Sequence, residues 1–425
     1  MSEWHAGEAT ITFDIPVGTL LGGYADRTKG STGTHDALEI SALTLTCGGR
    51  WLHIVAADVV AVDSDLPVDI AHAAGIKVND LLLCATHTHS GPLGVARRLH
   101  SASPLTVDPE LRARFVDQMA ETLTRASQHI QPVDLATGDA RIEGVWTNRT
   151  DPAAAGVDRV RTLAATGADG SLVALLVMVP CHPTVLGAWN LEVSADLHGG
   201  IRRALRTRLG AAGERATLLT VTGAAGDIST RFARRESSFA EVDRLGDTVA
   251  AAVVSGLGDL DLVGDGLRRA SASALLPMRE RDAEAEARAH EEALAAWKAI
   301  EYDEAVHEAT KRLVYTRLQG AEILRDMTAL PPVSAAIGGW ALGNTLALAT
   351  VPGELFSSCG RLIEQGSAFD PTWVVGYANG YVGYLVDSGA VAAGTYEALA
   401  SPYGSGAGQV VTETALRVLG ELASS

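Results

Sequence analysis

Positive charge is scarce in this chain. Its 425 residues include 34 Lys and Arg against 51 Asp and Glu, a formal net charge of −17. Binding to a phosphate backbone rests on clustered Lys and Arg, so this balance argues against a nucleic-acid partner. It argues equally against docking on an anionic lipid surface. Cysteine is scarce too. Cys47, Cys84, Cys181 and Cys359 lie far apart, form no C-x-x-C and sit in apolar runs, which excludes a disulfide scaffold and reads as buried free thiols. Aromatic residues make up only 5% of the chain, so Ala, Val and Leu must fill most of the core. Long uninterrupted apolar runs are missing. Residues 172–189 are broken by Pro180, His182 and Pro183, and residues 333–353 by Gly338, Gly339, Gly343 and Asn344, so neither reads as a membrane-spanning helix. The first residues, Met1 to His5, have neither a basic region nor an apolar stretch of signal-peptide type. What is present is 47% apolar and 20% charged residues, the balance of a globular, enzyme-sized protein. The expectation is a soluble cytoplasmic protein with no stable membrane insertion, whose size also allows a homo-oligomer.

Apolar strand-like runs alternate with amphipathic helices. Residues 51–60 and 81–86 read as buried strands, 65–75 as a short helix with Pro67 in its first turn, and 108–129 as a helix. In that last segment Leu111, Phe115, Met119 and Leu123 recur every four residues. Strands at 172–179 and 217–222 are interleaved with helices at 195–209 and 239–254. This rhythm predicts an α/β fold with a mixed sheet flanked by helices. Residues 279–324 are rich in Ala, Glu and Arg and contain no Gly or Pro before Gly320, which predicts a long helix or helical hairpin; His290 and His307 on it read as solvated. Residues 340–350 suggest a β-hairpin turning at Gly343 and Asn344. With no repeat and no linker composition, residues 1–425 are expected to form a single domain with a helical excursion.

Several strands run directly into ionisable residues, and the carboxyl ends of strands in an open α/β sheet are where sites form. His87 and His89 follow the strand at 81–86, a spacing that suits paired metal ligands but also two loop histidines bonded to the backbone. His182 follows the strand at 172–179 and is either a third imidazole or a satisfied core residue. Gly223–Ser229 offers two glycines, Asp227 and Ser229, without the Lys or the spacing of a phosphate-binding P-loop. Glu354 ends another strand, and its carboxylate suits a metal or a solvated loop. Tyr377, Tyr381 and Tyr384 fall within eight residues in a chain of eight Tyr, a cluster that fits packing as readily as function. Asp58 either orients a His or caps a turn, and Asp63, Asp65 and Asp69 read as solvated. Arg231, Arg234 and Arg235 form a basic cluster, either charge balance or a clamp for a carboxylate or phosphate.

The segments ATHTHSGP at Ala85–Pro92, CHPTVLG at Cys181–Gly187, GDIS at Gly226–Ser229, PGE at Pro352–Glu354 and NGYVGY at Asn379–Tyr384 together resemble the neutral, non-lysosomal ceramidase family. TGTHD at Thr32–Asp36, Asn148-Arg149 and YEALASPYG at Tyr396–Gly404 add smaller matches in the same order. The resemblance implies a zinc amidohydrolase. Matched position by position, it implies that Zn²⁺ is held by His87, His182, Glu354 and Tyr384, that His89, Arg149 and Tyr396 stabilise the transition state, and that Ser229 falls on a serine considered as a nucleophile. It further implies hydrolysis of an amide bond in a small N-acyl substrate by metal-activated water.

The chain departs from the family after Ser229, where Pro-Asn gives way to Thr230-Arg231. No length is left after about residue 410 for the additional C-terminal β-sandwich domain of full-length relatives. The expected function is therefore amide hydrolysis of an N-acyl compound, with an anionic substrate in view of the arginines. Ester or lactone hydrolysis, cyclisation, or a non-catalytic protein of the same fold are the alternatives.

Overall fold

The computed structural model describes residues 4–97, 107–154, 157–328 and 330–425. Strands with apolar side chains on both faces need cover on both sides, and the architecture is set by how the chain supplies it. Two sheets stack face to face. The larger runs in the order Thr217–Thr222, Leu172–Val179, Arg159–Gly167, Gln131–Arg141, His5–Thr12, Glu39–Cys47, Arg50–Ala57 and Leu81–Ala85. It is parallel at its two ends and antiparallel between them. The smaller sheet orders Leu267–Leu275, Ser334–Leu342, Leu346–Thr350 and Thr372–Val375, with its last pair parallel.

The period-two alternation of strand side chains assigns each face. In Glu39–Cys47, Leu43, Leu45 and Cys47 point towards the smaller sheet, where Trp340, Leu342, Leu348, Trp373 and Val375 meet them in one apolar cluster. Ile40 and Ala42 point the other way, onto Leu111, Phe115, Met119 and Leu123 of the helix Pro109–Gln128. Leu175, Val177 and Val179 are covered by the helices Asp196–Leu209 and Phe239–Gly256. The outer face of the smaller sheet is covered by Ala407–Ala423, through Val411, Ala415 and Leu419. The layers thus run helix, sheet, sheet, helix. Each large aliphatic side chain so buried contributes about 1.5–3 kcal/mol.

The fold is α/β with a mixed sheet flanked by helices, as the sequence predicts, but the face-to-face packing of a second sheet is additional. The helical excursion is a hairpin, Ala283–Ile300 and Glu308–Asp326. The turn between Ser334–Leu342 and Leu346–Thr350 bends at Gly343, which has φ 58°. All four cysteines are buried. Asp63, expected to be solvated, is instead clamped by Arg112 at 2.6 and 3.0 Å. Among the described residues no helix is long and apolar enough to cross a membrane.

Candidate active site

The histidine, Gly-rich and acidic segments all leave the carboxyl ends of strands. Leu81–Ala85, Leu172–Val179 and Thr217–Thr222 in the larger sheet, and Leu346–Thr350 and Thr372–Val375 in the smaller, deliver them to one end of the molecule. Short backbone pairings then bind the segments together. His182 N–H donates to Ile228 O at 3.0 Å, Arg149 N–H donates to Asp227 O at 2.7 Å, and Asn148 pairs with Ile228. Glu354 and Tyr384 are direct partners in a two-residue parallel pair, which places their side chains side by side. Gly226 lies so close to the Glu354 carbonyl that a Cβ there would meet its oxygen at 2.5 Å. Asp227 accepts from Asn148 Nδ2 and from both the N–H and hydroxyl of Ser357, so it braces the loop and does not point into the site.

His87 adopts a left-handed backbone, φ 65°, as do Tyr377 and Asn379. Non-glycine residues in that region are strained and cluster at functional sites. Asn379 compensates by binding the edge strand: its side chain accepts from Leu83 N–H at 2.7 Å and donates to Leu81 O at 3.1 Å. The segment carrying the tyrosines is thereby locked to the strand carrying His87, and the Tyr377 ring lies 4.2 Å from the His87 ring.

The imidazoles of His87, His89 and His182 are buried, and one ring nitrogen from each falls within 4.8 Å of the others. Their protonation follows from their partners. His87 Nδ1 lies 2.6 Å from Val60 O and His182 Nδ1 2.6 Å from Ala225 O. A carbonyl can only accept, so both Nδ1 atoms carry the hydrogen. Burial lowers the His182 pKa to about 3, which keeps the ring neutral. Its Nε2 therefore presents a lone pair, 2.8 Å from Glu354 Oε2, with His87 Nε2 3.3 Å from the same oxygen. With both Nδ1 atoms committed to carbonyls, the two Nε2 atoms and the Glu354 carboxylate face one another, and a proton or a metal ion between them satisfies the contact. This donor set fits a divalent metal ion, with carbonyl-bound Nδ1–H groups of the kind that orient metal-ligating histidines. His89 Nε2 lies 3.2 Å from His87 Nε2, while its Nδ1 has no partner. Burial, reinforced by His87 and His182, holds its pKa well below the ordinary value.

Arg149 reaches the same centre. Its Nε donates to Glu397 at 2.7 Å, and its Nη2 to Gly226 O at 2.8 Å and to the Tyr384 hydroxyl at 3.0 Å. Burial works against its charge, but Tyr384, Glu397 and Glu354 hold its pKa well above normal. The Tyr396 ring packs edge-on against Tyr384 at 5.8 Å. Ser229 Oγ accepts from Arg231 N–H at 3.3 Å, and no histidine or carboxylate is hydrogen-bonded to it among the described residues.

His87, His89, Arg149, Ser229, Glu354, Tyr384 and Tyr396 all line one cavity of about 460 Å³, with His182 buried behind His87 and Glu354. Four of its supports have no role assigned to them in the sequence reading, which singled out Tyr377 and Tyr381 only as members of a tyrosine cluster. The Tyr381 hydroxyl donates to Glu354 Oε1, and the Tyr377 hydroxyl lies 3.4 Å from Oε2. Glu397 fixes Arg149. The helix Glu308–Asp326, read as solvated, forms a wall through Arg312, Thr316, Gln319 and Ile323. It is tethered by Asp26, which accepts from Tyr315 at 3.1 Å and Gln319 at 2.9 Å. Asp58 is hydrogen-bonded to no histidine among the described residues. It accepts from Thr86, Arg202 and Glu39 N–H, anchoring the end of the strand that precedes His87.

No family model matches the sequence. A neutral ceramidase from Pseudomonas aeruginosa is 27% identical over 133 residues, a stretch that takes in 28% of this chain and 20% of that relative. The crystal structure of neutral ceramidase from Pseudomonas aeruginosa superposes on the whole of this chain and 75% of its own with a TM-score of 0.78 at 18% identity. A ceramidase complexed with C2 gives 0.77 at 17% identity, again over the whole of this chain and 76% of its own. In sequence over part of its length and in fold over all of it, this chain is similar to neutral ceramidase.

Proposed function

We propose that the protein is a metal-dependent hydrolase that cleaves the amide bond of an N-acyl substrate. The observation that carries this reading is the convergence of the Nε2 atoms of His87 and His182 on Glu354, with both Nδ1 atoms committed to carbonyls. The likeness to ceramidases supports the substrate class. In this reading His87, His182, Glu354 and Tyr384 hold Zn²⁺, and His89 faces the substrate. Zn²⁺ so held supplies a Lewis acid for the scissile carbonyl and brings the pKa of water to about 7.

The protein's own groups do the rest. Glu354, ionised and steadied by Tyr381, accepts the proton of the attacking water at a carboxylate oxygen. Arg149, held by Glu397, and the Tyr396 hydroxyl donate to the oxygen that gains charge; one such donor is typically worth about 100- to 1,000-fold in kcat. The apolar wall of Leu21, Val60, Leu93, Ile323 and Val382 receives the acyl chain and keeps bulk water out. A cytoplasmic location belongs to the same proposal and is tested by fractionating the cells that make the protein. The activity is tested with a panel of N-acyl amides, ceramides and esters, assayed with and without a chelator. Amide cleavage lost on chelation and restored by Zn²⁺ supports the reading; cleavage of esters alone, or none, overturns it.

A further inference from the structure

The cavity carries more positive charge than its centre uses. Arg27, Arg149, Arg231, Arg234 and Arg312 all line it, in a chain of net charge −17, and Glu354 is the one carboxylate residue among the described lining. Two of the five are paired: Arg149 with Glu397 at 2.7 Å, and Arg312 loosely with Asp26 at 3.7 Å. Arg27, Arg231 and Arg234 have no carboxylate within ion-pair distance among the described residues. Each reaches only backbone carbonyls, Arg231 through Arg149 O at 3.3 Å and Arg234 through Thr184 O. A guanidinium has five donors; Arg27 uses three, on the carbonyls of Gly22, His89 and Gly187, whereas most of those of Arg231 and Arg234 remain unspent. Burial, with Arg149, Arg312 and Arg234 nearby, lowers the Arg231 pKa to about 9. Asp196 acts on Arg27 and Arg234 and Glu397 on Arg231, but neither is in ion-pair contact with them, and like charges gathered in a sheltered site are steadied further when an anion binds among them. Of the basic cluster seen in the sequence, Arg235 is exposed and does not line the cavity. Arg312 joins instead from the helical hairpin, a position no sequence spacing predicts.

We propose that the substrate carries an anionic group, a carboxylate or a phosphate, and that Arg231, Arg234 and Arg312 bind it on the wall between the loop after Ser229 and the helix Glu308–Asp326. This names the substrate class for the hydrolase reading above and rests on it. Guanidinium groups match both anions by paired N–H donors.

The test compares matched substrates on the full chain: N-dodecanoylglycine against N-dodecanoylglycinamide, and phosphorylated N-dodecanoylethanolamine against its parent. The anionic member of one pair should be favoured at least about tenfold in kcat/KM, mainly through KM. That preference should shrink as salt rises from about 0.05 to about 0.5 M. The pair with the larger ratio identifies the anion. The ratio should fall towards one in the double variant Arg231→Gln/Arg234→Gln, fall partly in Arg312→Gln, whose side chain is 31% exposed, and survive in part in Arg231→Lys. A ratio near one in the parent protein, or a preference that these variants leave intact, overturns the proposal while leaving the hydrolase reading standing. If no member of either pair is cleaved, the hydrolase reading fails. Calorimetric binding of the same pairs to the parent and variant proteins then decides this proposal by the same ratios.

Discussion

His182 Nε2 lies 2.8 Å from Glu354 Oε2. The imidazole hydrogen is on Nδ1, bonded to Ala225 O at 2.6 Å. Nε2 then meets the carboxylate oxygen as one acceptor meeting another, and a proton or a metal ion between them stabilises the contact. The predictions follow from how the surrounding residues hold that arrangement.

Tyr381 donates its hydroxyl to Glu354 Oε1. Tyr381→Phe leaves the ring packing in place and frees one carboxylate oxygen. The loss of a hydrogen bond to a charged group, about 1.5–3 kcal/mol, should lower kcat/KM by about 10- to 100-fold and weaken metal retention in a chelator titration. Unchanged retention and turnover would mean that Glu354 is oriented by other contacts.

Arg149 and Glu397 form a buried pair, with side chains 6% and 2% exposed. Removing one partner strands the other charge, at about 3–5 kcal/mol. Arg149→Ala should therefore lower the denaturant midpoint markedly. The double variant Arg149→Met/Glu397→Gln should regain most of that stability but little of the activity, because the donor to Tyr384 is gone. Recovery of activity together with stability would assign Arg149 a purely structural role.

Gly23 has φ +92°, and a Cβ there would lie 2.3 Å from His89 Cγ. Gly23→Ala should displace the His89 ring and cut turnover by at least about tenfold, with the metal content unchanged. His89→Ala should likewise keep the metal and lose turnover. Loss of metal from either variant would make His89 a ligand and correct the ligand set proposed above.

Much of this architecture is legible in the sequence because local signals carry it. The helix Pro109–Gln128 has an Asp108 cap, Pro at its start and a four-residue apolar repeat. The buried strands stand out as short unbroken apolar runs ending in His, Gly or Glu. The partner of a strand face is not local information. Leu43 and Leu45 read as buried in either case, and nothing in their neighbourhood says that Trp340 and Trp373 cover them. The tyrosines show the same limit. Tyr377 and Tyr381 turn onto Glu354 because Tyr377 and Asn379 adopt left-handed backbones, which the NGYVGY spelling does not specify. Arg312 sits on a helix whose charged pattern reads as solvated, and the Asp26 tether and the packing of Leu318 and Ala321 on Ala293 and Leu399 turn that face towards the cavity. Glu397 lies beside Tyr396 in sequence, but its role depends on Arg149, 248 positions away.

The central claim is that His87, His182 and Glu354 form a metal centre that cleaves an amide. The most direct test is metal content by mass spectrometry on gently purified protein, in parallel with hydrolysis of an N-acyl amide. One equivalent of Zn²⁺ per chain in the parent protein is predicted, with metal and hydrolysis lost together in His87→Ala and His182→Ala variants that remain folded. Parent protein that is metal-free yet active, or variants that keep both metal and activity, would contradict it.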